Sequence, residues 1–160
     1  DGWLHTGDIG QIVHRSFLKI TDRQKDIFKT STGIYVAPQR VENQMRANPF
    51  IEQCMVVGFN RPYVVALILP NFTSLQQWCA TNNVHWTAPQ FMVLNPRVQR
   101  KMEKEIEQEN EQLAPHQRVK KFHLLHQSWS EESGELTPTL KARRQVILEK
   151  YRKEIEELYE

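Results

Sequence analysis

The sequence predicts an α+β domain in which a β-hairpin is followed by a central sheet of about three strands flanked by helices. Residues 51–59 and 63–69 are nearly continuous apolar, β-rich runs, which is typical of central strands in a covered sheet. Apolar residues recur at helical spacing before and after these runs. With 160 residues, 39% hydrophobic and 25% charged, the chain can form one core of ordinary size.

The first 21 residues predict two short strands, because glycines punctuate the segment and apolar residues alternate around Ile12, Phe17 and Ile20. Asp8, next to Gly7, is the candidate binding residue of this segment. A short carboxylate in a tight turn can accept two hydrogen bonds from a ligand diol, as in dinucleotide-binding folds. The alternative is a turn-forming aspartate that bonds to its own backbone.

Residues 21–29 are mostly charged, so they cannot belong to the core. Gly33 follows at a position where a hairpin loop would require positive φ. A polar stretch followed by a glycine loop is typical of a hinge or of a solvent-facing linker.

The remaining elements follow from helix start signals and from residue periodicity. We expect helices from Pro38 to about Asn48, over residues 73–81, from Asn95-Pro96 to about Leu113, and from Thr139 to the end, with a third strand over residues 119–125.

The last of these helices carries the most informative stretch of the chain. Pro138 and Thr139 are helix start signals, which would put Lys141, Arg143 and Arg144 in or beside the first turn. Cations are unfavourable at the positive end of a helix unless something negative compensates. The stretch therefore indicates an anion site with at least one lysine. The alternative is a set of solvated basic residues on a surface helix.

Composition limits the possible functions. A net charge of +2, with short basic clusters and no aromatic stacking pattern, does not indicate nucleic-acid binding. Two cysteines without metal-ligand spacing favour a reducing cytosol and predict no metal site in this stretch. No apolar run reaches membrane-spanning length.

Because the chain begins without methionine and inside an apparent motif, we expect it to be part of a longer protein.

Three separated motifs resemble, in order and spacing, those of the adenylate-forming enzymes, the acyl-CoA synthetase superfamily. They are Trp3-Leu-His-Thr-Gly-Asp8, residues 22–29 with Gly33, and Leu136-Thr-Pro-Thr-Leu-Lys141 with the two arginines after it. The residues in these motifs are most similar to those of long-chain fatty-acid CoA ligases, which also have counterparts of residues 35–38, 40–43 and 61–68. The resemblance extends over nearly the whole chain.

The resemblance implies a small, mobile C-terminal lid domain. Residues 1–21 would end a large N-terminal domain, residues 22–29 would be the hinge, and residues 30–160 the lid. The phosphate loop, the fatty-acid pocket and the acid that binds Mg²⁺ would lie in the large domain, which is the expected partner of this chain. We therefore expect the fragment alone to be inactive.

The resemblance also assigns roles. Lys141 matches the catalytic lysine, and Asp8 and Arg23 match the residues that hold the ATP ribose. Lys25 matches the hinge residue. The loop of Gly33, with Tyr35, matches the loop that lines the pantetheine tunnel for CoA.

The implied reaction activates a fatty acid with ATP to an acyl-adenylate, releases pyrophosphate, and then forms the CoA thioester after domain rotation. The expected location is cytoplasmic, and peripheral membrane association of the parent enzyme is compatible with it. One alternative is an adenylate-forming ligase for another carboxylic acid. The alternative from another class is a non-enzymatic module that binds an acidic partner through its basic clusters.

Overall fold

A computed structural model describes residues 2, 6–23 and 26–160, and the side chains of residues 19 and 21–23 lie outside this description. The described elements are two small hairpins and a three-stranded mixed sheet flanked by helices. The predicted α+β class is therefore confirmed. No helix in the described part of the chain is long and apolar enough to cross a membrane.

The N-terminal hairpin pairs β1 (Asp8–Val13) with β2 (Phe17–Arg23) in antiparallel register. Its turn has positive φ at two successive residues, His14 and Arg15, which suits a tight hairpin because such turns match the right-handed twist of the strands. Strand β2 runs to Arg23 and thus enters the segment predicted as a hinge.

A second, smaller hairpin pairs β3 (Phe28–Lys29) with β4 (Tyr35–Val36). Its loop contains Gly33 at φ +85°, so the prediction that this position needs a left-handed conformation is confirmed. Helix α1 (Pro38–Arg46) follows, with the proline in its first turn.

The main sheet has the order β5-β6-β7, formed by β5 (Ile51–Val57), β6 (Val64–Pro70) and β7 (Val119–Leu124). Strand β5 is antiparallel to β6, whereas β7 is parallel to it. Every residue of β6 is buried, as a central strand requires. Strand β5 was also expected to be central, but it lies at the edge.

Helices α2 (Phe72–Thr81), α3 (Pro89–Met92) and α4 (Pro96–Asn110) connect β6 to β7. Asn71 caps α2 by accepting a bond from Ser74 N, and Asn95 caps α4 by accepting one from Arg97 N. A short 3-10 turn precedes β7.

Alternating side chains of the sheet enter two separate cores. One core joins the sheet to α1, α2 and α4, and includes Met45, Ala66 and Met102. The other lies against the C-terminal helices and includes Leu67 and Ile147. The sheet is therefore covered on both faces, and the helices after residue 143 are fixed by their own apolar core.

The C-terminal segment forms two short helices, α5 (Arg144–Lys150) and α6 (Arg152–Glu157). The prediction of one helix beginning at Pro138 or Thr139 is wrong at its start. Leu140 has φ +59°, which a right-handed helix cannot contain, and Leu136 forms an antiparallel bridge with Ala142. The helix can begin only after this bridged loop.

Candidate functional site

The candidate site is a cleft of about 910 Å³ between the N-terminal hairpin, α1, the edge of β5 and the segment before α5. Asp8 from β1 and Lys141 both line it. The structure thus brings together two predicted site residues from opposite ends of the chain. The remaining charged lining is of both signs, comprising Asp26, Glu42, Arg46, Glu52 and Arg144.

Lys141 lies in a tight loop formed by residues 137–141. Thr137 N donates to the carbonyl of Lys141 at 2.8 Å, and Lys141 N donates to Thr137 Oγ1 at 3.0 Å. Leu140 N also donates to the Thr137 carbonyl, at 2.8 Å. These bonds occupy the backbone groups that a helical turn would use, so Thr137 acts as a turn former.

The ammonium of Lys141 belongs to an exposed residue outside the helix. The prediction that it occupies the first turn of a helix, where the helix dipole would oppose it, is therefore wrong. An anion at this lysine would be held by the side chain on a shaped loop, and not by a helix terminus.

The loop is attached to the domain at both ends. At the N-terminal end, the Glu135 carboxylate is almost fully buried and accepts hydrogen bonds from Lys150, Ser133 Oγ and Ser130 N. Arg143 N donates to the Glu135 carbonyl at 2.7 Å. Burial opposes ionisation of Glu135, but the hydrogen bonds outweigh it, so the pKa of this carboxyl lies below its ordinary value.

At the C-terminal end, Arg144 Nη1 donates to Glu42 Oε1 at 2.6 Å, and Nη2 donates to the Val56 carbonyl at 2.5 Å. Val56 N donates to the same Glu42 oxygen at 2.9 Å. Helix α1, edge strand β5 and the start of α5 therefore meet at one guanidinium.

This contact was missed by sequence reasoning. Glu42 and Arg144 are 102 positions apart, and neither the periodicity of α1 nor the basic cluster indicates which carboxylate the arginine would meet. Glu42 is distinctive because it is buried on a helix whose other buried residues are apolar or proline. Burial is known only from the structure, so the sequence alone did not mark this glutamate.

The two residues predicted to bind the ribose lie opposite each other on paired strands. Asp8 and Arg23 are register partners in the β1–β2 ladder. The Asp8 residue is exposed, and its backbone N–H donates to Thr6 Oγ1 at 3.3 Å. The predicted hinge residue, Lys25, lies outside the described residues.

Gly33 and Tyr35 do not line this cleft. Their hairpin is bonded to the turn between β5 and β6, because Ser31 N donates to the Arg61 carbonyl and Asn60 N donates to the Lys29 carbonyl. Tyr35 is 65% exposed. Asp8, predicted for the nucleotide, and the two residues predicted for CoA therefore lie at different places in the structure.

Cys54 lies at the cleft wall but is not a candidate nucleophile. Burial raises the pKa of its thiol far above the ordinary value, and the neighbouring Glu42 carboxylate raises it further. Within the described residues, no group of three His, Cys, Asp or Glu side chains could hold a metal ion. The charged groups of the described cleft lining are its lysine, its two arginines and its carboxylates.

Comparisons with known proteins find relatives along almost the whole chain. The long-chain-fatty-acid–CoA ligase FadD15 of Mycobacterium tuberculosis is 35% identical over 160 residues, covering 99% of this chain and 27% of that protein. Human long-chain-fatty-acid–CoA ligase 6 is 35% identical over 163 residues, covering 99% of this chain and 23% of that protein. The chain therefore corresponds to about a quarter of the length of these relatives.

Solved structures share the fold. The adenylation domain of a carboxylate reductase from Mycobacterium chelonae has a TM-score of 0.71 at 24% identity, over 96% of this chain and 22% of that one. A Mycobacterium tuberculosis fatty acyl CoA synthetase has a TM-score of 0.57 at 22% identity, over 94% of this chain and 24% of that one.

A family model described as the AMP-binding enzyme C-terminal domain matches residues 25–160. It covers both hairpin β3–β4 and the Lys141 loop, and the relatives extend the similarity through the N-terminal hairpin. The chain therefore belongs to the family of AMP-binding enzyme C-terminal domains, the C-terminal part of adenylate-forming enzymes.

Proposed function

We propose that this chain is the C-terminal domain of a long-chain fatty-acid CoA ligase. The complete enzyme would use ATP to convert a fatty acid to an acyl-adenylate with release of pyrophosphate, and would then transfer the acyl group to CoA. The observation that carries this proposal is that Asp8 and Lys141 line one cleft although they are far apart in sequence.

The first half-reaction needs groups of this kind. A fatty carboxylate must approach the α-phosphate of ATP, so two anions meet while charge redistributes over the phosphate oxygens. The Lys141 ammonium, on a flexible stem, can bridge both as a compact point charge. The Asp8 carboxylate can accept the two hydroxyls of the ribose, with Arg23 assisting from the paired strand.

The second half-reaction has different needs, because the CoA thiol must reach the acyl carbonyl after the lysine has left. We propose that Lys25 is the hinge, that residues 22–29 connect the large domain to a lid of residues 30–160, and that the loop of Gly33 with Tyr35 lines the path of the pantetheine arm. The separation of this loop from the Lys141 cleft supports a rotation that exchanges the two faces.

The other reactants and partners follow from this proposal. ATP and CoA would be the nucleotide substrates, and the large N-terminal domain would supply the Mg²⁺ site, the phosphate loop and the fatty-acid pocket. We propose that the isolated 160-residue chain is inactive for this reason. A cytoplasmic enzyme, with or without peripheral membrane association, fits the proposed substrates.

The test is Lys141→Ala in the intact enzyme, with the two half-reactions measured separately. Loss of one preorganised charge typically costs about 10² to 10³ in rate. We expect a loss of that size in acyl-adenylate formation from fatty acid and ATP, while supplied acyl-adenylate is converted to thioester near the wild-type rate. Lys153→Met, at a largely exposed lysine of α6, is the control and should change neither rate.

Equal slowing of both half-reactions by Lys141→Ala would contradict the assigned role. The choice of acid is tested separately, by comparing kcat/KM for long-chain, short-chain, aryl and amino acids. A preference outside the long-chain acids would favour the alternative, a ligase for another carboxylic acid.

A further inference from the structure

We infer that Arg144 is a positioning residue for Lys141, holding the loop of residues 137–141, here called the lysine loop, against helix α1 and the edge of β5. This inference deepens the proposed function and rests on it, because it assumes that Lys141 acts in adenylate formation. Arg144 lines the cleft, but its guanidinium is bonded to Glu42 and to the Val56 carbonyl, so it would act through the lysine without contacting the substrate.

The lysine loop is closed by bonds within itself. The hydrogen bonds between Thr137 and Lys141, and the bridge between Leu136 and Ala142, close the loop upon itself. Such bonds determine the shape of the loop but not its location on the domain. The location must come from the two ends, where the chain enters and leaves the bridge.

Arg144 holds the exit end of the loop. The guanidinium of Arg144 binds two elements at once, through the Glu42 carboxylate on α1 and the Val56 carbonyl on β5. A planar fork of donors suits two acceptors in fixed positions better than an ammonium does. The Val56 N–H donates to the same Glu42 oxygen, so the backbone of the edge strand is part of the same contact.

The ion pair between Arg144 and Glu42 is largely shielded from water. The side chain of Glu42 is 10% exposed and that of Arg144 is 24% exposed, so water competes little for either group. Both elements that they join belong to the apolar core around Met45 and Val56. The exit end is thus attached to two elements that pack into this core.

Arg144 lies close to the lysine along the chain. Arg144 is three positions after Lys141 in the chain, so their Cα atoms can be at most about 11 Å apart. A catalytic group displaced by about 1 Å can lose about 10² in rate, even when the change lies away from the reacting atoms. Loss of the Arg144 anchor should therefore displace Lys141 and lower the rate of acyl-adenylate formation only, because that is the half-reaction that uses the lysine.

The experiment uses the intact enzyme and four variants: Arg144→Met, Arg144→Lys, Lys141→Ala and the double variant Lys141→Ala with Arg144→Met. Arg143→Met is the matched control, because Arg143 is an exposed neighbour that does not line the cleft. Both half-reactions are measured for each variant, and thermal unfolding reports whether each is folded.

We expect Arg144→Met to slow acyl-adenylate formation by about 10-fold to 10²-fold and to leave conversion of supplied acyl-adenylate within about twofold of wild type. Arg144→Lys should recover part of the rate, because one acceptor can still be reached. In the Lys141→Ala background, Arg144→Met should cause no further loss, since there is no lysine left to position. The Arg143→Met control should match wild type in both steps.

Three results would overturn the inference. Multiplicative losses in the double variant would mean that Arg144 acts on the substrate directly. Equal slowing of both half-reactions would mean that it serves only folding, and unchanged adenylate formation in a folded Arg144→Met variant would mean that the loop does not need the anchor. If Arg144→Met does not fold, Glu42→Gln, which keeps the side-chain shape, gives the same comparison from the other partner.

Failure of the proposed function would look different. In that case Lys141→Ala alone would leave adenylate formation unchanged, whatever the Arg144 variants do.

Discussion

Lys150→Met in the 160-residue chain removes the charged partner of the buried Glu135 carboxylate at the base of the lysine loop. The Glu135 side chain is 1% exposed, whereas that of its partner Lys150 is 44% exposed. The substitution keeps the aliphatic stem but removes the ammonium, so Glu135 keeps only its bonds from Ser133 and Ser130.

The magnitude follows from these exposures. A hydrogen bond to a charged group contributes about 1.5–3 kcal/mol to stability. Since the ammonium is partly in water and therefore screened, the lower end applies, and we expect a loss of about 1.5 kcal/mol. For a chain of this size, that corresponds to a decrease in Tm of about 3–6 °C. Urea unfolding followed by circular dichroism measures the free energy directly.

The pH dependence gives a second measurement. The folded-state pKa of Glu135 is lowered, so its stabilisation is complete above the ordinary carboxyl value of about 4.3 and is lost as pH falls through the folded value. The pKa of Lys150 is raised, mainly by its bond to Glu135, so its stabilisation is complete below the ordinary value of about 10.4 and is lost at higher pH. The difference between wild type and Lys150→Met should be constant between about pH 5 and 10 and should shrink in stronger acid.

Lys153→Met is the matched control for this experiment. Its side chain is 87% exposed, and its nitrogen lies 3.8 Å from a Glu157 oxygen, so the pair should contribute less than about 0.5 kcal/mol. If the two lysine variants lost the same free energy, or if the loss at Lys150 did not change in acid, the burial of Glu135 would not have the consequence we assign to it.

Two further predictions concern the backbone. Gly58→Ala would place a Cβ 2.8 Å from Cε2 of Phe28, and we expect this overpacking to cost about 1–3 kcal/mol in urea unfolding; an unchanged midpoint would mean that the ring moves aside freely. In the intact enzyme, Lys25→Pro should slow thioester formation far more than adenylate formation, because it restricts φ at the proposed hinge. Lys25→Ala is its control, and if both half-reactions were untouched by the proline, the hinge would be elsewhere.

Much of the fold could be predicted from local sequence. The apolar runs that became β5 and β6, the proline at the start of α1 and the asparagine cap of α4 all act through neighbours in the chain. Periodicity and capping are local properties, so they could be recognised without coordinates. The same holds for Gly33, whose positive φ follows from the loop that it closes.

The start of the last helix could not be predicted in this way. Pro138 and Thr139 are acceptable at a helix N-terminus and equally acceptable in a tight loop. The choice is made by the bridge between Leu136 and Ala142 and by the anchoring of Glu135 and Arg144 at the two ends. Those partners lie on other elements, and their identity depends on packing.

By itself, the sequence determined the α+β class, the order of the elements and the three motifs that place the chain in its family, because these depend on residue types and their spacing. Only the tertiary structure decided that Asp8 and Lys141 share a cleft, that Gly33 and Tyr35 lie elsewhere, and that Arg144 meets Glu42. The physical reason is that the packing of the two apolar cores against the sheet fixes how the elements lie against one another. Polar side chains at the edges of these cores come into contact as a consequence of that packing.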